Sequence, residues 1–156
     1  MSNLTNKNIL LCVTGGIAAY KAAELVRLLK TSNAFVKVLM TKSAQEFITP
    51  LTMQALSGEK VHTDLLSTEA EAAMGHIELA KWCDLIVIAP CSANSLSKIA
   101  EGRGDDLLSA VCLATESKIF IAPAMNQAMW KDKRTQKNLS KSCLLYTSPS
   151  PRDVIQ

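Results

Sequence analysis

Aromatic residues are scarce in this sequence: three Phe, two Trp and two Tyr make up 4% of 156 residues. Hydrophobic residues nevertheless reach 48%. The core must therefore be built from Ile, Leu, Val and Ala, as in a globular α/β domain, and the composition excludes a disordered or fibrous chain. Long apolar runs are missing too. The longest, residues 9–13 and 85–90, are of strand length and far short of the ~20 residues a membrane helix needs, so no membrane association is expected. Residues 1–7 are polar with no apolar signal segment behind them. Cys12, Cys83, Cys91, Cys112 and Cys143 are odd in number and contain no Cys-x-x-Cys pair. That pattern argues against a disulfide framework, gives no metal site, and fits reduced thiols in a cytoplasmic protein. Charge of one sign is not in excess: 17 basic against 14 acidic residues leave a net charge of +3. The one mild basic cluster, Lys131, Lys133, Arg134, Lys137 and Lys141, has the spacing of a solvated helix face, so no nucleic-acid partner is expected.

What is present reads as one domain, since 156 residues bury a single sizeable core and are too few for two. Residues 8–13 form a β-rich apolar run that ends at Thr14-Gly15-Gly16, and a helical pattern follows through Ile17, Tyr20, Leu25, Val26, Leu28 and Leu29. Residues 35–40 are a second strand, after which Thr41-Lys42-Ser43 opens a short helix carrying Ala44 and Phe47. Pro50 starts another helix that reaches Leu56 and is closed by Gly58. Residues 69–74 read as a loop, 76–82 as a short helix and 84–89 as a third strand. Helices over 95–101 and 106–114 are broken by Gly102-Arg103-Gly104, and a fourth strand over 118–122 leads into Pro123-Ala124-Met125-Asn126 and a polar helix. Alternating strands and helices predict a mainly parallel sheet with helices on both faces, a Rossmann-like, flavodoxin-type three-layer sandwich.

Residues 143–153, with two Pro in three positions and no periodicity, resemble the one-frame translation of a transposase sequencing adapter. The expected organisation is a domain over 1–142 and a non-native tail over 143–156; a natural Pro/Ser linker is the alternative.

Four loops follow the four strands and should open on one edge of the sheet, where ligands of such folds bind. The first places two glycines before a helix start, so backbone N–H groups and the helix dipole face any bound anion, most simply a phosphate. A dinucleotide fingerprint is absent: there is no Gly-x-Gly-x-x-Gly, and the second strand ends in Met40-Thr41-Lys42-Ser43 where an acidic residue would hold the ribose. These groups favour a mononucleotide such as FMN over NAD, although composition alone leaves the two close. Ser92, Asn94 and Ser95 either bind a phosphate or cap a helix. Asn126 either grips a carboxylate or caps the next helix. His76, at the entry of its helix, has no partner in the sequence that assigns it a role, and His62 has no supporting context.

Taken together, T-G-G-I-A-A-Y-K (14–21), G-H-I-E-L-A-K-W-C-D (75–84), A-P-C-S-A-N-S-L-S-K-I-A (89–100) and A-P-A-M-N-Q-A-M-W (122–130) resemble the phosphopantothenoylcysteine decarboxylases in order and spacing. These are homo-oligomeric flavin-containing cysteine decarboxylases, and the match covers about residues 6–141. The resemblance implies that Gly16, Ile17, Ala18, Thr41, Ser43, Ser92, Ala93, Asn94 and Ser95 cradle FMN. It also implies that His76 and Asn126 are catalytic, Asn126 by holding the carboxylate of the substrate, 4'-phosphopantothenoylcysteine. A trimer is implied, with each flavin between subunits. The implied reaction is FMN-dependent decarboxylation to 4'-phosphopantetheine, a step of coenzyme A biosynthesis. The family's clamp cysteine has no match after Ser142, and a CTP-dependent ligase domain usually follows in the bacterial enzyme. The expectation is therefore a C-terminally truncated chain that binds FMN and decarboxylates but completes the reduction poorly. Alternatives are a flavin prenyltransferase or peptide cysteine decarboxylase of the same fold, a non-catalytic FMN-binding regulatory subunit, and a nicotinamide-binding domain.

Overall fold

A computed structural model of the chain describes residues 4–64 and 75–145. The expected loop over 69–74 and most of the suspect tail lie outside the described residues. Four parallel strands, β1 (Asn8–Val13), β2 (Phe35–Met40), β3 (Leu85–Cys91) and β4 (Lys118–Pro123), lie in the order β2-β1-β3-β4. β1 and β2 end where their apolar runs meet Thr14 and Thr41, β4 ends at Pro123, and β3 passes through Pro90 to Cys91. Asn8 faces Phe35 and Val13 faces Met40 across β1 and β2, while Cys91 faces Pro123 across β3 and β4. The carboxyl ends are therefore level, and their loops share one rim.

The helices are α1 (Lys21–Thr31), α2 (Pro50–Ser57), α3 (His76–Trp82), α4 (Ala93–Glu101), α5 (Leu107–Ala114), α6 (Gln127–Lys131) and α7 (Lys133–Leu145). Most start where the sequence supplies a cap. The Thr49 hydroxyl accepts from the Thr52 N–H ahead of Pro50, and Gly58 closes α2 at φ +77°. Asp106 and Ser109 cap α5 reciprocally, the Asp106 carboxylate accepting from Ser109 N at 2.8 Å and the Ser109 hydroxyl from Asp106 N at 3.2 Å.

Two apolar layers sandwich the sheet. On one face Leu10, Cys12, Ile86, Ile88, Ile119 and Ile121 pack against α3, α4 and α5, with Leu139 of α7 behind them. On the other, Ile9, Leu11, Val13, Val36, Val38 and Met40 pack against Ala22, Val26 and Leu29 of α1 and Met53 of α2. This second layer covers β1 and β2 fully and reaches β3 in part, where Leu85, Val87 and Ala89 pack at its edge. Leu85, Val87 and Ala89 of β3 and Phe120 and Ala122 of β4 alternate with fully buried neighbours and are themselves only half-buried.

Several boundaries differ from the sequence reading. The helical turns after β1 (Ile17–Tyr20) and β2 (Ser43–Glu46) are 3-10 turns. The third strand runs on to Cys91, and Ala93 and Asn94, expected in a loop, form the first turn of α4. The polar helix is split at Asp132, whose carboxylate accepts from the N–H of Arg134 at 2.8 Å and starts α7. That helix continues unbroken from 133 to 145 across the expected domain boundary at 142.

Candidate functional site

Because β2 and β3 lie on opposite sides of β1, the strand order reverses at the β1/β3 gap, the switch point where open α/β sheets bind ligands. A cavity of about 600 Å³ opens there, lined by Gly15 and Gly16 after β1, Thr41, Lys42 and Ser43 after β2, and Ser92, Asn94 and Ser95 after β3. Its volume lies within the ~300–1,000 Å³ of small-molecule sites.

Backbone and side-chain hydrogen bonds lace the rim together. Thr41 N–H donates to Val13 C=O at 3.0 Å, joining the first and second loops. The Thr14 hydroxyl donates to Pro90 C=O at 2.7 Å and accepts from Ser92 N–H at 2.8 Å, joining the first and third. Ala124 N–H donates to Cys91 C=O at 2.9 Å, joining the third and fourth.

Both glycines are required, for different reasons. A Cβ on Gly15 would stand 2.6 Å from Ser43 Cβ, because the first and second loops touch there. Gly16 has open space around it but adopts φ 149°, ψ 161°, a region essentially reserved for glycine.

The hydroxyls around the cavity cap helical turns and keep a donor. Ser92 Oγ accepts from Ser95 N–H at 3.1 Å and Thr41 Oγ1 from Ala44 N–H at 3.2 Å, which leaves each O–H to point elsewhere. The first turn of α4 presents further N–H groups and the positive end of its dipole. The donor set of the rim suits a phosphate and an uncharged polyol better than a metal.

The sequence did not single out the far wall. Lys98 Nζ sits 3.3 Å from Asp106 and 3.5 Å from Asp105, and these three line the cavity with Leu107, Leu108 and Phe47. Burial pushes the Asp106 carboxyl up, but the Ser109 hydroxyl and N–H and the Lys98 ammonium outweigh it, so its pKa lies below the ordinary carboxylate value. The only sequence signal for this wall was the Gly-Arg-Gly break that precedes Asp105.

Six of the residues expected to hold a cofactor meet in this cavity: Gly16, Thr41, Ser43, Ser92, Asn94 and Ser95. The others are elsewhere. Ile17 is 81% exposed, and Ala93 lines neither this cavity nor the next. Ala18 lines a second cavity of about 190 Å³, which it shares with Lys21, Ala22, Leu25, Ala89, Pro90 and Ala122 to Ala124 beside the half-buried β3–β4 face. His76 and Asn126 line neither cavity. His76 is half-buried at the first position of α3. Asn126 caps α6, its Oδ1 accepting from Met129 N–H at 2.9 Å, and its amide NH2 remains a donor.

Neither His62 nor the buried thiols belong to the cavity. His62 pairs by its backbone with β2, and burial and Lys37 hold its imidazole below the usual pKa. Burial pushes the Cys112 thiol up to about 12, and Cys12 and Cys91 also upward, so these sulfurs are packing groups and not nucleophiles. Among the described residues no helix is long and apolar enough to cross a membrane.

The model of a family described as Flavoprotein matches residues 1–143. The coenzyme A biosynthesis bifunctional protein CoaBC of Haemophilus influenzae is 55% identical over 137 residues, which are 88% of this chain and 34% of that protein. The chain thus spans about a third of the length of the curated relatives it matches. Among solved structures, the FMN-dependent cysteine decarboxylase SpaF superposes with a TM-score of 0.85 at 31% identity, covering 93% of this chain and 84% of its own. A PPC decarboxylase variant complexed with pantothenoylaminoethenethiol gives 0.77 at 34% identity, covering 94% of this chain and 82% of its own.

Proposed function

The chain belongs to the Flavoprotein family, and on that footing we propose that it is an FMN-dependent phosphopantothenoylcysteine decarboxylase acting on 4'-phosphopantothenoylcysteine in coenzyme A biosynthesis. The observation that carries this reading is the convergence of three strand-end loops on one cavity at the β1/β3 switch point, each bringing small residues and hydroxyl or N–H donors. Bound there, FMN supplies a two-electron oxidation of the cysteinyl thiol, which gives the electrons left by the departing carboxylate a place to go.

The chain's own part is to bind, orient and handle protons. Gly16 and Asn94, the latter in the first turn of α4, direct N–H groups at the phosphate, Ser95 gives its own N–H to the Ser92 cap, and Thr41, Ser43 and Ser92 add hydroxyls. Ile17 and Ala18 follow the glycines directly and would flank the cofactor from the adjoining turn. His76 takes the thiol proton as a general base. The NH2 of Asn126, oriented by its capping carbonyl, donates to the substrate carboxylate.

His76 and Asn126 line neither of the two cavities of the single copy. Ile17 and Tyr20, 81% and 60% exposed on the 3-10 turn, stand beside the half-buried β3–β4 face. A second copy packed on that face buries them and completes each site, which makes the working form a homo-oligomer, in our reading a trimer. The same reading puts the chain in the cytosol, where its buried thiols stay reduced.

The test is direct. The purified chain should carry or take up FMN with a flavin absorbance, sediment as an oligomer, and release CO2 from 4'-phosphopantothenoylcysteine, with the release lost in His76→Asn. A folded, assembled protein that stays colourless with added FMN would sink the proposal.

A further inference from the structure

Thr14 is the first residue beyond β1, it is 0% exposed, and no role in the chemistry above falls to it. Its position is unusual for a buried hydroxyl. The oxygen donates to Pro90 C=O at 2.7 Å and accepts from Ser92 N–H at 2.8 Å, while Thr14 N–H also reaches Pro90 C=O at 3.2 Å. Thr14 is followed at once by Gly15 and Gly16, and Ser92 is the cap of α4. One buried side chain thus ties the glycine turn to the start of the helix on the other side of the switch point.

We propose that Thr14 is a positioning residue for the phosphate cradle: its hydroxyl fixes the distance between the Gly15-Gly16 turn and the Ser92 cap before any ligand arrives. The inference rests on the FMN reading for the identity of the ligand, but not for the clasp itself. The Ser92 N–H is not a donor to the ligand, because Thr14 already takes it. Ser92 therefore addresses the cavity through its O–H alone, and its capping bond to Ser95 N–H keeps that O–H in place. Without the Thr14 oxygen, the half-buried Ser92 N–H loses its acceptor. The third loop then moves to find one, and the cradle must be reassembled at the expense of binding free energy.

Thr14→Val keeps the branched shape and removes the oxygen, whereas Thr14→Ser keeps the oxygen and removes a methyl. FMN affinity, read by flavin fluorescence, should fall about tenfold or more in Thr14→Val and return to near the parent value in Thr14→Ser. Leu139→Ala, in the core and lining neither cavity, should lower the melting temperature and leave the affinity alone. Amide hydrogen exchange in the flavin-free chain gives a second readout: Ser92 N–H should be protected in the parent and in Thr14→Ser, and exposed in Thr14→Val.

Val and Ser variants of equal affinity, or a Ser92 amide that exchanges freely in the unaltered chain, would overturn the proposal. The exchange measurement on the parent needs neither a folded variant nor flavin. A parent chain that refuses FMN refutes the functional reading, and the Ser92 protection still decides the clasp.

Discussion

Replacing each rim glycine by alanine separates two kinds of constraint that look identical in the sequence. At Gly16 the added methyl meets nothing within 4 Å, so the whole penalty is conformational. Forcing a side chain onto φ 149°, ψ 161° should cost about 1–3 kcal/mol. For a chain of 156 residues that corresponds to a fall in melting temperature of roughly 2–4 °C per kcal/mol. At Gly15 the backbone is permissive and the penalty is steric. The new Cβ would lie 2.6 Å from Ser43 Cβ, with Ser43 C and O behind it at 3.3 and 3.4 Å. Carbon atoms settle at about 3.5–4.0 Å, so the first and second loops must part by about an ångström. A binding constellation must be held to within about 0.5 Å, so a shift of that size opens the cradle. Gly15→Ala should therefore weaken FMN binding far more than Gly16→Ala does for the same loss of thermal stability. Thermal melts by circular dichroism and flavin titrations on both variants measure the two quantities. A Ser43→Gly change in the Gly15→Ala background should restore part of the melting temperature, because it removes the atom in collision. If Gly15→Ala binds FMN as tightly as the parent, or if Ser43→Gly restores nothing, the close approach of these loops does not shape the cradle.

Two further substitutions test the packing around the site. Asp106→Ala removes the cap of α5 and should destabilise the flavin-free chain by about 1 kcal/mol at neutral pH, somewhat less for the partial exposure of the carboxylate. Because the folded carboxyl has a pKa below its ordinary value, this stabilisation is present above the unfolded value of about 3.9 and fades as pH falls through the folded one. Melts from pH 7 down to about 3 should show the parent and variant converging; a gap that widens in acid would refute the assignment. Ser142 is 1% exposed with its hydroxyl unpaired on the inner side of α7, so Ser142→Ala should raise stability by about 1 kcal/mol. A lower melting temperature in that variant would mean that the hydroxyl has a partner after all.

The strands were legible because each is a short apolar run closed by a residue that stops it, and their level carboxyl ends follow from parallel pairing. The boundaries that moved were those decided by backbone hydrogen bonding and not by composition. Ser43 to Phe47 has a helical pattern, yet the chain has room for only a single 3-10 turn before Pro50 starts α2. Residues 127–145 look like one polar helix until the Asp132 carboxylate captures the Arg134 N–H and restarts it. The far wall of the cavity was illegible for a different reason. Lys98 and Asp106 are eight positions apart, and nothing local distinguishes their pair from surface charges until α4 and α5 fold back on each other. Thr14 was hidden in the same way, since its partners Pro90 and Ser92 are 76 and 78 residues on.

Ser92 and Asn126 admitted two readings from sequence, a helix cap or a ligand contact, and the structure makes these compatible. A capping oxygen accepts one N–H and is held in a single orientation by it. Ser92 then has its O–H left over, and Asn126 its NH2, each aimed by the cap instead of free to rotate. Loss of rotamer freedom on binding is a real penalty for a polar side chain, and here folding has already met it. The strand-end loops that bear helix caps are thus the places where a parallel sheet can present oriented donors. On the proposed reading, capping and ligand contact fall on the same residues, and removing a cap should lower affinity as well as stability.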